Sequence, residues 1–137
     1  MKHVFVDTNV CYDFLSDREP FARHASQLFA LAESNKVKLS ASSISFTTID
    51  YLARKVMKGA DSAELLKLLR SLVQVANVDE HSIDRALASN LPDFEDAVQY
   101  YAALSANAEI IVTRNQRDFL KSTLPVQTAE EFLNTFL

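Results

Sequence analysis

The sequence predicts a parallel β-sheet covered by helices on both faces. Short segments such as HVFV (residues 3–6) and EIIVT (109–113) have the unbroken apolar character of strands buried on two sides. Longer segments between them carry apolar residues at helical spacing, so strands and helices alternate along the chain. The chain has 137 residues, 48% apolar and 23% charged. Without repeats, low-complexity tracts or Pro/Gly/Ser linkers, that is the make-up of one domain spanning residues 1–137.

The elements follow in order. Residues 3–6 form a strand that ends abruptly in Asp-Thr-Asn, and a first helix runs over 10–15. A second helix over 21–35 puts Phe21, Ala25, Leu28, Phe29 and Ala32 on one face. A short strand over 38–41 precedes a helix over 45–58, whose Phe46, Ile49, Leu52, Ala53 and Val56 keep helical spacing until Gly59 stops it. Residues 62–72 read as a strongly amphipathic helix, 73–78 as a strand and 82–91 as a helix. Another helix spans 94–106 after Pro92-Asp93, followed by the buried strand 109–113. A weak last strand at 126–127 leads into a helix over 128–136, opened by a capping box between Thr128 and Glu131.

Composition removes whole classes of chemistry. One glycine, where average usage of ~7% would give about ten, leaves no phosphate-binding glycine loop and no nucleophile elbow. One cysteine, Cys11, excludes a disulfide framework and any paired-cysteine zinc or redox motif, and it reads as a small buried apolar residue. His3, His24 and His81 are too scattered for a zinc-binding helix, and His3 and His24 read as packing or surface residues. No stretch approaches the ~20 apolar residues of a membrane span, and the opening MKHVFVDTNV lacks the apolar core of a signal peptide. The expectation is a reduced, cytoplasmic protein. A net charge of −4 argues against electrostatic coating of nucleic acid but not against handling it through metal ions.

Carboxylates remain abundant. In parallel sheets the ligand site lies beyond the carboxyl ends of the strands, where strand order reverses. Asp7 directly follows the first strand, Asp93, Glu95 and Asp96 open the helix before strand 109–113, and Asn115 and Asp118 follow that strand. If the first and fourth strands are neighbours, these groups converge, and converging carboxylates stay ionised only around a cation. An all-oxygen set without His or Cys suits Mg²⁺ or Mn²⁺. Each residue also has a plainer role. Asp7 suits a helix cap, and the spacing of three in Asp93/Asp96 and Asn115/Asp118 suits capping. Asp50 and Glu95 read as solvated, and Asp13, Asp17, Asp61 and Asp84 as surface or cap positions. Between Asp79 and Glu109 there are seven acidic residues (Asp79, Glu80, Asp84, Asp93, Glu95, Asp96, Glu109) against the single base Arg85. Arg114, Arg117 and Lys121 lie next to this stretch, an acidic seat beside a basic rim that suits a polyanion. A receiver or phosphatase domain also has an Asp after its first strand, but the Lys after a late strand and the D-x-D those classes need are missing.

Three blocks carry a resemblance: HVFVDTNVCYDFL, DFEDAVQYYAA and IIVTRNQRDF. Together, in this order and spacing, they resemble the PIN domains, most of all the compact VapC-type toxin ribonucleases of bacterial toxin–antitoxin pairs. The resemblance covers essentially the whole chain. It implies a three-layer α/β/α sandwich with a five-stranded parallel sheet, a Mg²⁺- or Mn²⁺-dependent endoribonuclease, a homodimer, and a small antitoxin partner. By position, Asp7, Asp96 and Asp118 correspond to the family's metal-holding, catalytic acids. Asn9 and Thr113 correspond to polar residues lining the site, and Asn115 stands where many members have Asp. The family's acid early in the third helix falls on Thr48, with Asp50 two residues on. Asp93 joins the acidic rim, and Arg114 and Arg117 are the candidate RNA-binding bases.

The leading expectation is therefore a metal-dependent ribonuclease acting as a toxin. Thr48 in place of an acid motivates the alternative, a PIN-fold protein of weak or no catalysis that works as an RNA- or protein-binding regulator. The apolar face of Ala63, Leu66, Leu69 and Val73, with the helix over 21–35, predicts a homodimer interface.

Overall fold

The computed structural model describes residues 1–136. Five strands form one parallel sheet: β1 (Lys2–Val6), β2 (Val37–Ser42), β3 (Gln74–Ala76), β4 (Ile110–Val112) and β5 (Val126–Gln127). Their order is β3-β2-β1-β4-β5, with all pairs parallel. The helices are α1 (Thr8–Ser16), α2 (Ala22–Glu33), α3 (Ser43–Val56), α4 (Ser62–Leu72), α5 (Glu80–Ala88), α6 (Phe94–Ser105) and α7 (Ala129–Phe136). The sandwich expected from the three blocks is thus the fold.

Strand alternation divides the core. Val4 and Val6 face one side, packed with Val10, Leu15, Leu28, Phe29, Ile49, Leu69 and Phe132 from α1, α2, α3, α4 and α7. Phe5 faces the other, against Tyr100, Ala102 and Ala103 of α6. The steps β1 to β2 to β3 run outward in one direction, and β3 to β4 returns across the sheet. A single crossover hand then requires the returning helices α5 and α6 to cover the opposite face. Strand order reverses between β1 and β4, and the carboxyl ends of these two strands are where a ligand site is expected in such a sheet.

Capping explains where boundaries differ from the sequence reading. The first helix starts at Thr8, two residues earlier, because the Asp7 carboxylate accepts the Thr8 N–H at 2.9 Å. Likewise α5 starts at Glu80, since Asp79 Oδ1 accepts the Ser82 N–H at 3.0 Å. The third helix runs over Ser43–Val56 and ends on Met57, so Gly59 is not its stop. Gly59 lies in the following turn at φ +87°, a conformation that favours glycine although nothing crowds its Cβ position. The Thr128–Glu131 capping box is present in both directions, at 3.1 and 2.9 Å. A 3₁₀ turn over Gln116–Phe119 escaped the sequence reading, having only Phe119 buried and hence no apolar period. Among the described residues, no helix is long and apolar enough to cross a membrane.

Candidate active site

The ends of β1 and β4 bring the first two functional groups together. The Asp7 N–H continues the ladder to the Val112 carbonyl at 3.0 Å, which sets Asp7 beside Thr113. Asp7 is only 5% exposed, and its carboxylate is held from both sides. Oδ1 accepts from the Thr8 N–H and from Gln99 Nε2 at 3.1 Å; Oδ2 accepts from Thr113 Oγ1 at 2.8 Å and Asn9 Nδ2 at 3.4 Å. Burial nevertheless pushes its pKa up, against the pull of hydrogen bonds from Thr113, Thr8 and Gln99, and the Asp118 charge adds to the rise. Asp7 is thus a helix cap and the centre of the site at once.

Thr113 and Asn9 link this carboxylate to the loop after β4. Thr113 Oγ1 accepts the Asn115 N–H at 3.0 Å, and Asn9 Oδ1 accepts the Arg114 N–H at 3.3 Å. The 3₁₀ turn then carries Asp118, half-buried, into the field of the other acids. From the opposite face comes α6, capped by Asp93, whose Oδ1 accepts the Asp96 N–H at 3.0 Å. Asp96, in that first turn, has its pKa pushed up to about 7 by burial first, then by the charges of Asp7, Asp93, Asp118 and Glu95. Asp7, Asp96 and Asp118 therefore share one electrostatic site, as the sequence predicted. Among the described residues, no three acidic, His or Cys side chains close tightly enough to clasp an ion as they stand.

The donor set still fits a hard cation. It is all oxygen, two of its carboxyls are raised by burial and mutual repulsion that a cation would relieve, and Mg²⁺ keeps several of its own waters rather than needing a protein cage.

Other predicted residues lie elsewhere. Asp50 is turned to the α4 side, ion-paired with Arg54 at 3.0 Å and hydrogen-bonded to Ser62 Oγ, and so does not line the site. Thr48 is half-buried on α3, one turn beyond Ser45. The Arg114 side chain is engaged within the fold. It pairs with Asp13 at 2.7 Å and lies over the Phe21 ring, 4.2 Å from its centroid. Asp13, expected at the surface, is 1% exposed. Arg117 is exposed beside the acids.

Sequence reasoning missed Gln99, which is fully buried on α6 and touches Asp7. Its signal was its place three residues after Asp96, on the same helix face.

Known proteins resemble this chain in sequence and in fold. The sequence pattern of the PIN domain matches residues 3–117. Ribonuclease VapC1 of Aquifex aeolicus (strain VF5) is 26% identical over 134 residues, covering 94% of this chain and 92% of that one. A toxin–antitoxin complex from Klebsiella pneumoniae superposes with a TM-score of 0.67 at 25% identity, over 92% of this chain and 97% of that one. DNA-bound VapBC from Salmonella typhimurium superposes with a TM-score of 0.69 at 19% identity, over 94% and 99% of the two chains.

Proposed function

This chain belongs to the PIN-domain family, and from that premise we propose that it is a metal-dependent endoribonuclease, the toxin of a toxin–antitoxin pair. The observation that carries the reading is the oxygen-only acid site at the reversal point of the sheet, where Asp96 feels the charges of Asp7 and Asp118. The likeness to a VapC ribonuclease and to a toxin–antitoxin complex supports the toxin assignment and a small antitoxin partner. A cytoplasmic location and a homodimer belong to the same reading.

Asp7, Asp96 and Asp118 would hold Mg²⁺ or Mn²⁺. Such an ion supplies charge neutralisation at a phosphodiester and lowers the pKa of water for in-line attack. Thr113 and Asn9 fix the Oδ2 side of Asp7. Asn115, exposed after Thr113, lines the approach to the acids, and Asp93 holds Asp96 by capping its helix. Arg117, exposed on the 3₁₀ turn, is the base available to an RNA phosphate, whereas Arg114 is engaged by Asp13.

Incubation of the purified protein with RNA and Mg²⁺ or Mn²⁺ tests this. Cleavage is expected, and EDTA should abolish it. Equal cleavage in EDTA would overturn the metal mechanism. The second reading, a regulator of weak catalysis, is favoured by Thr48 standing where the resemblance puts an acid. It predicts RNA retention without cleavage under the same conditions.

A further inference from the structure

Gln99 stands out among the buried side chains. It is 0% exposed, one helical turn after Asp96, and its Nε2 lies within reach of three acceptors. These are Asp7 Oδ1 at 3.1 Å, Thr8 Oγ1 at 2.8 Å and Ser45 Oγ at 3.2 Å. An amide nitrogen has two hydrogens. One serves the carboxylate and the other is shared by the two hydroxyls, which are 2.6 Å apart and extend to Ser42 Oγ at 3.3 Å. This orientation of the amide suits an ionised Asp7 carboxylate. Reversed, its oxygen would face the Asp7 carboxylate oxygen with no proton between them.

This arrangement has a cost that core packing does not explain. Gln99 Oε1 is buried without a hydrogen-bond partner among the described residues. An unsatisfied buried acceptor is destabilising, and Leu or Met would fill similar space without it. The amide's contact with Asp7 is the feature that an apolar residue cannot supply.

We propose that Gln99 is the positioning residue of Asp7. Its amide fixes Oδ1 as Thr113 fixes Oδ2, so the carboxylate plane is clamped from both sides before substrate arrives. The Thr8–Ser45–Ser42 hydroxyls orient the amide in turn. This neutral network includes Ser45 of α3, one turn before Thr48. What Asp7 does for catalysis rests on the nuclease reading; how Asp7 is held does not.

The test uses the full chain with Gln99→Met, which keeps length and removes both amide atoms, and Gln99→Glu, which keeps shape and removes the donor where it is ionised. Crystal structures of the metal-free variants should show the Asp7 carboxylate rotated out of its wild-type plane. RNA cleavage at saturating Mn²⁺ should lose roughly 10–100-fold in kcat, the usual effect of removing a group that orients a metal ligand. KM for RNA should stay within about twofold, the mark of an effect on the transition state. The thermal midpoint of Gln99→Met should change little, because the unpaired acceptor and the donor to Asp7 are removed together. An unmoved Asp7 carboxylate, or unchanged kcat with a lowered midpoint, overturns the proposal in favour of plain packing. If Gln99→Met does not fold, Gln99→Leu takes its place. If the wild type cleaves no RNA, the nuclease reading fails, and the carboxylate plane still decides the role of Gln99.

Discussion

At the scale of the residue, the acids carry a pH dependence whose sign follows from their surroundings. Asp96 has an ordinary value of 3.8 raised to about 7 in the folded chain. A carboxyl that binds its proton more tightly when folded adds stability at low pH and loses it as pH climbs from about 4 to 7, after which the loss is complete. The metal-free protein should therefore melt lower at pH 8 than at pH 5 by a margin that shrinks in Asp96→Asn. Calorimetry of both proteins in EDTA checks this, and equal slopes would show that Asp96 carries no strained charge. Asp7→Asn should likewise lose activity while keeping or raising stability, since its burial also pushes its pKa up. Asp13 behaves differently. Arg114 is its partner at 2.7 Å, so Arg114→Ala leaves a buried charge alone. That change should destabilise by about 2 kcal/mol in denaturant melts, less than a fully buried pair because Arg114 is partly exposed. A loss near zero would mean that Asp13 takes up a proton instead.

At the scale of the element, α3 decides the question of the missing acid. Residues 48 and 50 of one helix point about 200° apart. Asp50 is accordingly spent on Arg54 and Ser62, away from Asp7. Thr48→Glu should tighten Mn²⁺ binding in a calorimetric titration, because each added carboxylate favours the ion. Asp50→Asn should leave binding unchanged, and loss of binding there would make Asp50 the ligand. The elements themselves were largely legible. Apolar runs announced β1 and β4, and α4 and β5 start and end at the residues their pattern predicts. Of the site, Asp7 could be read because it directly follows a strand, Asp96 because it opens a helix and Asp118 because it lies in the loop after β4, whereas Asn9 and Thr113 came from the resemblance of their blocks. Gln99, Asp13 and the direction of Arg114 could not be read. A polar residue inside a helix looks solvated until tertiary structure supplies its partner, and both Gln99 and Asp13 find theirs more than 90 positions away.

At the scale of the whole molecule, the dimer argument changes footing. Leu69 and Val73, read as an interface, are 0% and 3% exposed within one chain and belong to its core. What α4 leaves open is a shallow apolar groove where Leu66 meets Phe46 and Val75 beside the edge strand β3. A homodimer through that groove should give a dimer mass in light scattering that Leu66→Glu reduces to a monomer. A monomer mass for the wild type at all concentrations would refute it. The central position of β1 has a different consequence, in the order of synthesis. Thr113, the partner of Asp7 at 2.8 Å, is made 106 residues after it, and Asp118 later still. Closing so long a loop must precede the contact that rewards it. A nascent chain short of residue 118 has the strand β1 and the cap of α1 but no assembled acid site. The acids can therefore meet only after residue 118 has been made, so the site is among the last parts of this fold to come together during synthesis.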